Sequence, residues 1–585
     1  MTTYVPPLRD LQFVLEDVLQ LPRAWAGMPA FADLDADTAR QVVAEAGRFA
    51  SDVLAPLNGP GDLQGCRWSA GEVRTPEGFA AAYRAFVEGG WPALACDPAV
   101  GGQGLPNVLN GALFEMICAA NHAWTMYPGL LHGAYACLHA HASPDLKAAY
   151  LPQLVSGEWL GTMCLTEPQA GSDLGLLRTR AEPADDGSYR VTGSKIFISG
   201  GEHDLTDNIV HLVLARLPDA PAGSRGISLF LAPKVLPDGT RNAVHCDGIE
   251  KKMGIKGSAT CQMRFEAAQA WLVGEPHRGL SAMFVMMNAA RLHVALQGLA
   301  HADAAHARAL RYAVDRLQSR APQRTPGAGA ADPIAAHPAM RRTLLAQRAL
   351  VEGGRVLAYW TAQLLDEAEH HRDAHVREAS EARVSLLTPV LKAFLTEIGW
   401  RVASDALQVL GGYGYVHEYG AEQTLRDARI PLIYEGTNEI QAIDFVMRKV
   451  LPDGGARLLG LLDEIDALCA ADLSPQSHML ADQVAALRAA VATLLAVAAD
   501  DAEYPLRVAD DLLRATGTLL LGHAWLRAQQ AAARGQRQQP DDPFLQAKLD
   551  TSAHFFAYLL PEAGLHLARM AAGRHVLPML TPAAC

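Results

Sequence analysis

Hydrophobic positions along this chain change their period twice. After Pro6-Pro7, the residues Leu8, Leu11, Leu15 and Val18 recur in steps of three and four, which predicts a short amphipathic helix. A second helix is expected to be capped at Asp37 or Thr38, to bury Val42, Ala46, Phe49 and Val53, and to stop at Pro56 and Gly59. Helical patterning continues to about Ser156. From Trp159 to about Val273 the chain is cut into short alternating, β-branched runs (YRVTGSKIFISG, IVHLVLARL, GISLFLA) with turns at Asp185-Asp186-Gly187 and Pro237-Asp238-Gly239, the pattern of antiparallel strands. Helix returns as one long stretch over Ser281 to Gln318. A Gly/Ala/Pro-rich loop follows over Thr325 to Pro338, then helix again from Met340 to about Lys449. Pro452-Asp453-Gly454-Gly455 breaks the chain before a Leu- and Ala-rich helical tail, Leu458 to about Ala571. The predicted fold is mostly α with a central antiparallel β domain. Its parts are an N-terminal extension (1–37), a helical domain (38–158), the β domain (159–278), a second helical domain (279–452) and an additional C-terminal helical domain (453–585).

A chain of 585 residues is too long for one core, and with 50% hydrophobic and 19% charged residues it has the composition of a globular protein. A net charge of -13 argues against a nucleic-acid partner, since binding a phosphate backbone needs a positive field. An anionic small ligand needs only a local pocket. The nine cysteines form no CxxC pair and read as reduced thiols, which points to a cytoplasmic location. The start, MTTYVPPLRDLQFVL, lacks a basic segment followed by an apolar core, so no signal peptide is expected. No membrane span is expected either: Val484 to Ala499 comes closest, and Arg488 and Thr493 interrupt it.

Three segments carry chemistry. They are Met163-Cys164-Leu165-Thr166-Glu167-Pro168-Gln169-Ala170-Gly171-Ser172-Asp173, then Leu410-Gly411-Gly412-Tyr413-Gly414-Tyr415, and lastly Arg426-Asp427-Ala428-Arg429 with Ile433-Tyr434-Glu435-Gly436-Thr437-Asn438-Glu439-Ile440-Gln441. Taken singly each has a plain structural reading. The first could be a turn and helix cap, the second a helix C-cap rather than a dinucleotide fingerprint, and Glu435 a surface acid beside a Thr437 cap. His371 and His375, four apart, read as a solvated helix face rather than a metal site. His132, His139 and His141 read as core or edge histidines, and Cys164 as packing.

Together, in this order and architecture, the three segments resemble the acyl-CoA dehydrogenase family from about Thr38 to Leu451. The opening Tyr4-Val5-Pro6-Pro7-Leu8-Arg9-Asp10-Leu11 and the added tail resemble its long bacterial subfamily, that of 3-methylmercaptopropionyl-CoA and broad-range fatty acyl-CoA dehydrogenases. The resemblance implies FAD-dependent α,β-desaturation of an acyl-CoA thioester. Glu435 would take the α-proton while hydride passes to flavin N5. A very weak carbon acid needs a desolvated base held against it, and Glu435 has no cation beside it in sequence. Gly436 would let the backbone approach the ligand. The same resemblance assigns Met163, Leu165, Thr166, Phe197, Ile198 and Ser199 to the flavin ring, and Gly171 and Ser172 to the pyrophosphate or CoA. Arg316, Gln408, Gly411 and Gly412 would hold the nucleotide end of FAD, with Arg316 reaching a neighbouring subunit, and Thr437 and Glu439 would lie near the flavin. Ser172, Arg291, Tyr434 and Gly436 fall on the substrate side; Arg291 could equally be a helix-surface charge. Phe197 stands where many relatives have tryptophan, and Glu439 replaces a commoner Gln or Ser. The implied partners are an acyl-CoA, an electron-transfer flavoprotein and a second copy of the chain in a homodimer. An acyl-CoA oxidase is the alternative reading, and a DNA-associated flavoprotein a more distant one, disfavoured by a tail in which acidic residues outnumber basic ones.

Overall fold

The computed structural model describes residues 4–327 and 329–572. The chain divides into two compact units. One is Val42–His293 with the residues just ahead of Pro7; the other is Pro7–Gln41 and the chain from Val294 onward.

The second helix runs Ala36–Arg48, and its cap is Asp35, whose carboxylate accepts the Thr38 N–H at 2.7 Å, rather than Asp37 or Thr38. Its buried positions are Ala39, Val43 and Ala46, continued by Phe49 and Ala50; Val42 and Val53 are part-exposed. Pro56 does not end it. A π-helical turn, Phe49–Leu54, absorbs the mismatch, and a helix resumes over Ala55–Gln64 with Pro56 in its first turn, where a missing N–H costs nothing.

The sheet belongs to the first unit. Besides a small hairpin, β1 (Arg67–Ser69) and β2 (Glu72–Arg74), it comprises β3 (Leu160–Cys164), β4 (Arg180–Pro183), β5 (Tyr189–Ser199), β6 (Ile209–Arg216), β7 (Ile227–Pro233), β8 (Val244–Ile249) and β9 (Thr260–Val273). The order β3-β6-β4-β5-β9-β7 closes on itself because β6 also pairs with β7, while β8 adds to β9. The sheet is mixed rather than antiparallel: β3 runs parallel to β6, and β4 meets β6 in a parallel pairing. The cause is connectivity. The chain leaves β3 through a long loop and two strands before β6, so β6 can return in the same direction.

In the second unit the helix Gly279–Asp315 reaches in from Val294 onward and crosses the helix Ala374–Leu410 at glycine on glycine. A Cβ on Gly399 would lie 2.4 Å from the Gly298 carbonyl oxygen, and one on Gly298 would lie 2.3 Å from that of Leu395. The stretch expected to be helical from Met340 to Lys449 is interrupted. Helices Pro338–His370 and Ala374–Leu410 are followed by turns and the short helices Ala421–Asp427 and Asn438–Asp444. His371 is extended and sits in the break, so it shares no helix face with His375.

The tail forms the helices Ala456–Ala470, Pro475–Ala498, Tyr504–Gln536, Pro543–His554 and Glu562–Ala572. It is tied to its unit by packing and charge. Trp525, 1% exposed, donates to the Ala349 carbonyl at 2.9 Å and fills the space that Gly353 leaves. Arg401 makes a two-pronged bond to Glu562, both at 2.9 Å. By length and composition alone, Gly279–Asp315 and Pro475–Ala498 could span a bilayer; Pro475–Ala498 buries one face, Leu480, Val484, Leu487, Val491 and Leu494.

The N-terminal extension docks on the tail. Asp10, 8% exposed, binds both Lys548 and Arg355. Arg355 also reaches Asp303 at 2.7 Å, and Lys548 reaches Glu352 at 2.8 Å. Phe13 meets Phe544 edge-on at 5.6 Å, with Lys548 over both rings. Removing one partner of a buried ion pair costs about 3–5 kcal/mol because the other charge is left stranded. Lys548→Met is therefore expected to lower the thermal unfolding temperature by several degrees. Asp10→Asn combined with Lys548→Met should lose less than the sum of the two single changes; strict additivity in calorimetry would show that the charges act separately.

Candidate active site

The first unit presents one half of the predicted residues. On β3, Thr162 and Cys164 are fully buried, and Thr162 Oγ1 lies 2.8 Å from His211 Nδ1. Strand alternation turns Met163 to the opposite face. Burial raises the Cys164 thiol pKa to about 12, which fits packing rather than reactivity. Just beyond β3, the Thr166 carbonyl accepts the Ile196 N–H at 2.9 Å. That bond is available because β5 leaves the β9 ladder between Lys195 and Ile198 in a bulge. The bulge puts Phe197 on left-handed backbone, φ +60°, and the residue is 58% exposed. Ile198 points inward and is 2% exposed, so of the predicted trio only Phe197 and part-exposed Ser199 offer side chains outward.

Two residues absent from the prediction hold this half together. Glu167 accepts the Arg178 N–H at 2.7 Å, the Thr179 N–H at 3.0 Å, the Thr179 hydroxyl at 2.6 Å and the Lys195 ammonium at 2.9 Å. Lys195, with no exposed surface, also donates to the Leu165 carbonyl at 2.9 Å. Burial pushes the Glu167 carboxyl pKa up, but Lys195 and the hydrogen bonds outweigh it and hold it at about 2. Glu167 lies inside a motif and Lys195 inside a quoted strand run; the missing signal was that each is buried. Gly171 and Ser172 are exposed on the loop that follows, and a Cβ on Gly171 would meet nothing within 4 Å. Arg291 is 7% exposed and so is not a helix-surface charge. His132 and His293 line a partly open cavity with Phe86, Trp91, Asn110 and Phe114. His293 stacks on Phe114 at 4.2 Å, and burial lowers the pKa of His132 to about 4 and that of His293 to about 3. His139 sits at an edge, 3.4 Å from Asp97.

The second unit presents the other half. Tyr434, Glu435, Gly436, Thr437 and Glu439 share one turn. Glu435 adopts φ +56° and Gly436 φ +83°, two consecutive left-handed residues. For glutamate that conformation is strained, on the order of 1–3 kcal/mol, and persists only where neighbours over-determine it. Here Gln441 donates to the Glu435 carbonyl at 2.8 Å, and Lys392 donates to the Gly436 carbonyl at 2.7 Å and to Asn438 Oδ1 at 3.1 Å. Gln441 and Lys392 are completely buried. Tyr434 bonds Gln297, which the Gly298 crossing brings within reach. No cation adjoins Glu435 in sequence, yet folding brings Lys392 to the next carbonyl. The signal for it was a lone charge in the apolar run Leu386 to Leu395. Thr437 caps the helix Asn438–Asp444 through the Ile440 N–H. Its hydroxyl and Glu439's own N–H hold the Glu439 carboxyl below its ordinary range.

Gln408, Gly411 and Gly412 form a separate group at the far end of the helix that carries Lys392. At about 1.5 Å of rise per residue, Gln408 lies roughly 24 Å along it from Lys392. The Arg316 guanidinium lies over the Tyr413 ring at 5.5 Å, beside this group. A Cβ on Gly411 or Gly412 would meet nothing within 4 Å.

Comparison with known proteins identifies the family. Family models match as follows: Acyl-CoA dehydrogenase N-terminal domain over 36–158, middle domain over 162–268 and C-terminal domain over 277–451, and Acetyl-CoA dehydrogenase C-terminal like over 461–579. The chain is 42% identical to 3-methylmercaptopropionyl-CoA dehydrogenase of Ruegeria pomeroyi, over 97% of this chain and 98% of that one. It is 36% identical to a broad-specificity linear acyl-CoA dehydrogenase of Mycobacterium tuberculosis, over 91% and 90%. The fold matches that of an acyl-CoA dehydrogenase from Bacillus anthracis solved with FAD, at a TM-score of 0.73 and 21% identity, over 95% and 94%. The chain belongs to the acyl-CoA dehydrogenase family, in the long form with an added C-terminal helical domain. It is an oxidoreductase and a flavoprotein of the fatty acid β-oxidation type, with FAD as cofactor. Residues suited to that group are present: an outward aromatic at Phe197, glycines open to space at 171, 411 and 412, and a guanidinium at Arg316.

Two outcomes are expected. Gly436→Ala places a Cβ 2.7 Å from Gln441 Nε2 on backbone that alanine avoids, and should destabilise by about 1–3 kcal/mol in denaturant titration. Glu167 has its folded pKa depressed from 4.5 to about 2, so its ionised form adds stability in full above pH 4.5, and this is lost as pH falls through about 2. Stability of Glu167→Gln should fall less steeply than wild type over that window; parallel acid curves would contradict the assignment.

Proposed function

We propose that Glu435 is the base that removes the α-proton of the acyl-CoA thioester. The supporting observation is its backbone. The Glu435 main chain is held on strained left-handed geometry because two fully buried side chains, Gln441 and Lys392, take the carbonyls of Glu435 and Gly436, so the acid is carried on a pre-organised backbone. Gly436 allows the left-handed turn and the close approach of Gln441 that shape this backbone. The Glu435 N–H is suited to donate to the thioester oxygen as enolate character develops, which lowers the barrier electrostatically. FAD, when bound, would supply the hydride acceptor for the β-carbon. Met163, Leu165, Thr166, Phe197 and Ser199 would hold its ring, with Ile198 contributing backbone alone. Gly171 and Ser172 would meet the pyrophosphate or CoA, Thr437 and Glu439 would stand near the ring, and Arg291 and Tyr434 would serve the substrate side.

Arg316, Gln408, Gly411 and Gly412 would hold the nucleotide end of FAD in a second copy of the chain. In favour of this homodimer, the group lies far along its helix from the Glu435 turn. It is also bordered by exposed Leu310, Val314, Leu317, Tyr413 and Tyr415, an apolar surface of the kind that subunits cover. An electron-transfer flavoprotein fits the family as the acceptor.

Anaerobic titration of the purified flavoprotein with a panel of acyl-CoAs tests the reading. Glu435→Gln should keep FAD and lose flavin bleaching by at least about a thousandfold, in keeping with the loss of a general base. Bleaching at wild-type rate in that variant would remove Glu435 from the role. Recolouring in air within the mixing time would replace the electron-transfer flavoprotein by dioxygen.

A further inference from the structure

The family and the proposed base leave the buried charge of Lys195 without a role. Lys195 has no exposed surface, yet its ammonium is not there for packing. It reaches two oxygens, Glu167 Oε1 and the Leu165 carbonyl, each at 2.9 Å. The Leu165 carbonyl belongs to the same peptide group as the Thr166 N–H. A cation on the carbonyl oxygen withdraws electron density from that group and makes its N–H a stronger donor. The next peptide is fixed as well, because the Thr166 carbonyl takes the Ile196 N–H from the bulge that turns Phe197 outward. Lys195 therefore acts on both segments offered to the flavin ring. Glu167 keeps it ionised: that carboxylate is anchored by two backbone N–H groups and a threonine hydroxyl besides the ammonium.

We infer that Lys195, held by Glu167, is a positioning residue that raises the reduction potential of the bound flavin by strengthening the Thr166 N–H donor and placing a buried positive charge behind it. The inference rests on the proposed placement of Met163, Leu165, Thr166 and Phe197 along the ring. Reduced flavin is the more electron-rich form, so a donor and a cation at its edge stabilise it relative to the oxidised form. In a low-dielectric interior that effect is not screened away. A residue that served the fold alone would alter stability without moving the potential. Lys195 thereby supports the oxidation of a saturated thioester without touching substrate, and no group is transferred to or from it.

The test is a spectroelectrochemical titration of bound FAD in the full chain, with Lys195→Met, the charge-free double variant Lys195→Met with Glu167→Gln, and Phe197→Ala. Lys195→Met is expected to shift the two-electron reduction equilibrium towards oxidised flavin by about tenfold, or ~30 mV. The double variant should shift it the same way by less, since it removes the repulsive carboxylate too. If Lys195→Met alone fails to fold, the double variant, which strands no charge in the interior, carries the test. An unchanged potential in a folded, FAD-loaded lysine variant, with Phe197→Ala altering the flavin absorbance or fluorescence, overturns the role of Lys195 and leaves the placement of the ring standing. If neither the lysine variants nor Phe197→Ala alters the flavin, the placement itself falls, and the inference with it.

Discussion

A buried ammonium bonded to a main-chain carbonyl holds each of the two segments proposed to carry the chemistry. In one unit Lys195 grips the Leu165 carbonyl, and in the other Lys392 grips that of Gly436. The reason is general. Burial of neighbours such as Met163, Cys164 and Leu432 anchors the segments only up to the turns themselves. A charge-assisted hydrogen bond in a low-dielectric interior is strong and directional, and fixes one carbonyl of each turn. A buried cation is costly without partners, and here the partners are part of the device: Glu167 for Lys195, Asn438 with the Gly436 carbonyl for Lys392.

Strain follows from the same constraint. Phe197 and Glu435 both occupy left-handed backbone that neither side chain favours. In each case the distortion borders a carbonyl fixed by a buried side chain or strand. The bulge in β5 frees Ile196 to bond Thr166, and the Gln441 and Lys392 bonds fix the carbonyls of Glu435 and Gly436. Rigid elements behind them bear the load. The Gly298–Gly399 crossing lets two long helices approach closely enough to bring Gln297 to Tyr434.

The two features that mark the long form are structurally one. Asp10, in the N-terminal extension, and Lys548, in the added tail, share an ion-pair network with Arg355, Asp303 and Glu352 of the helices between them. Neither segment would bury a charge safely alone. Their presence together in the chain has a physical cause in that shared network, which spans residues more than 500 positions apart.

Much was legible from the chain alone. Periodicity located the β region with strands β5, β6 and β7 and the helical stretches on either side, and three motifs in order carried the family and the choice of candidate residues. Errors fell where local rules met longer-range ones. Pro56 was read as a stop, but a π-turn let it begin a new helix; Asp35 rather than Asp37 capped; β3 found a parallel partner. Arg291 was weighed as a surface charge and is buried. Lys195, Lys392, Gln441 and Glu167 were in plain view as letters but not as a mechanism, because burial is a property of what surrounds a residue. The sequence by itself determined the elements, the order of the parts and the chemistry on offer, since period and motif spacing act over a few residues. Which carbonyls receive a buried charge, and which backbone is held in strain, was decided only by tertiary structure, where residues distant in the chain share one low-dielectric interior.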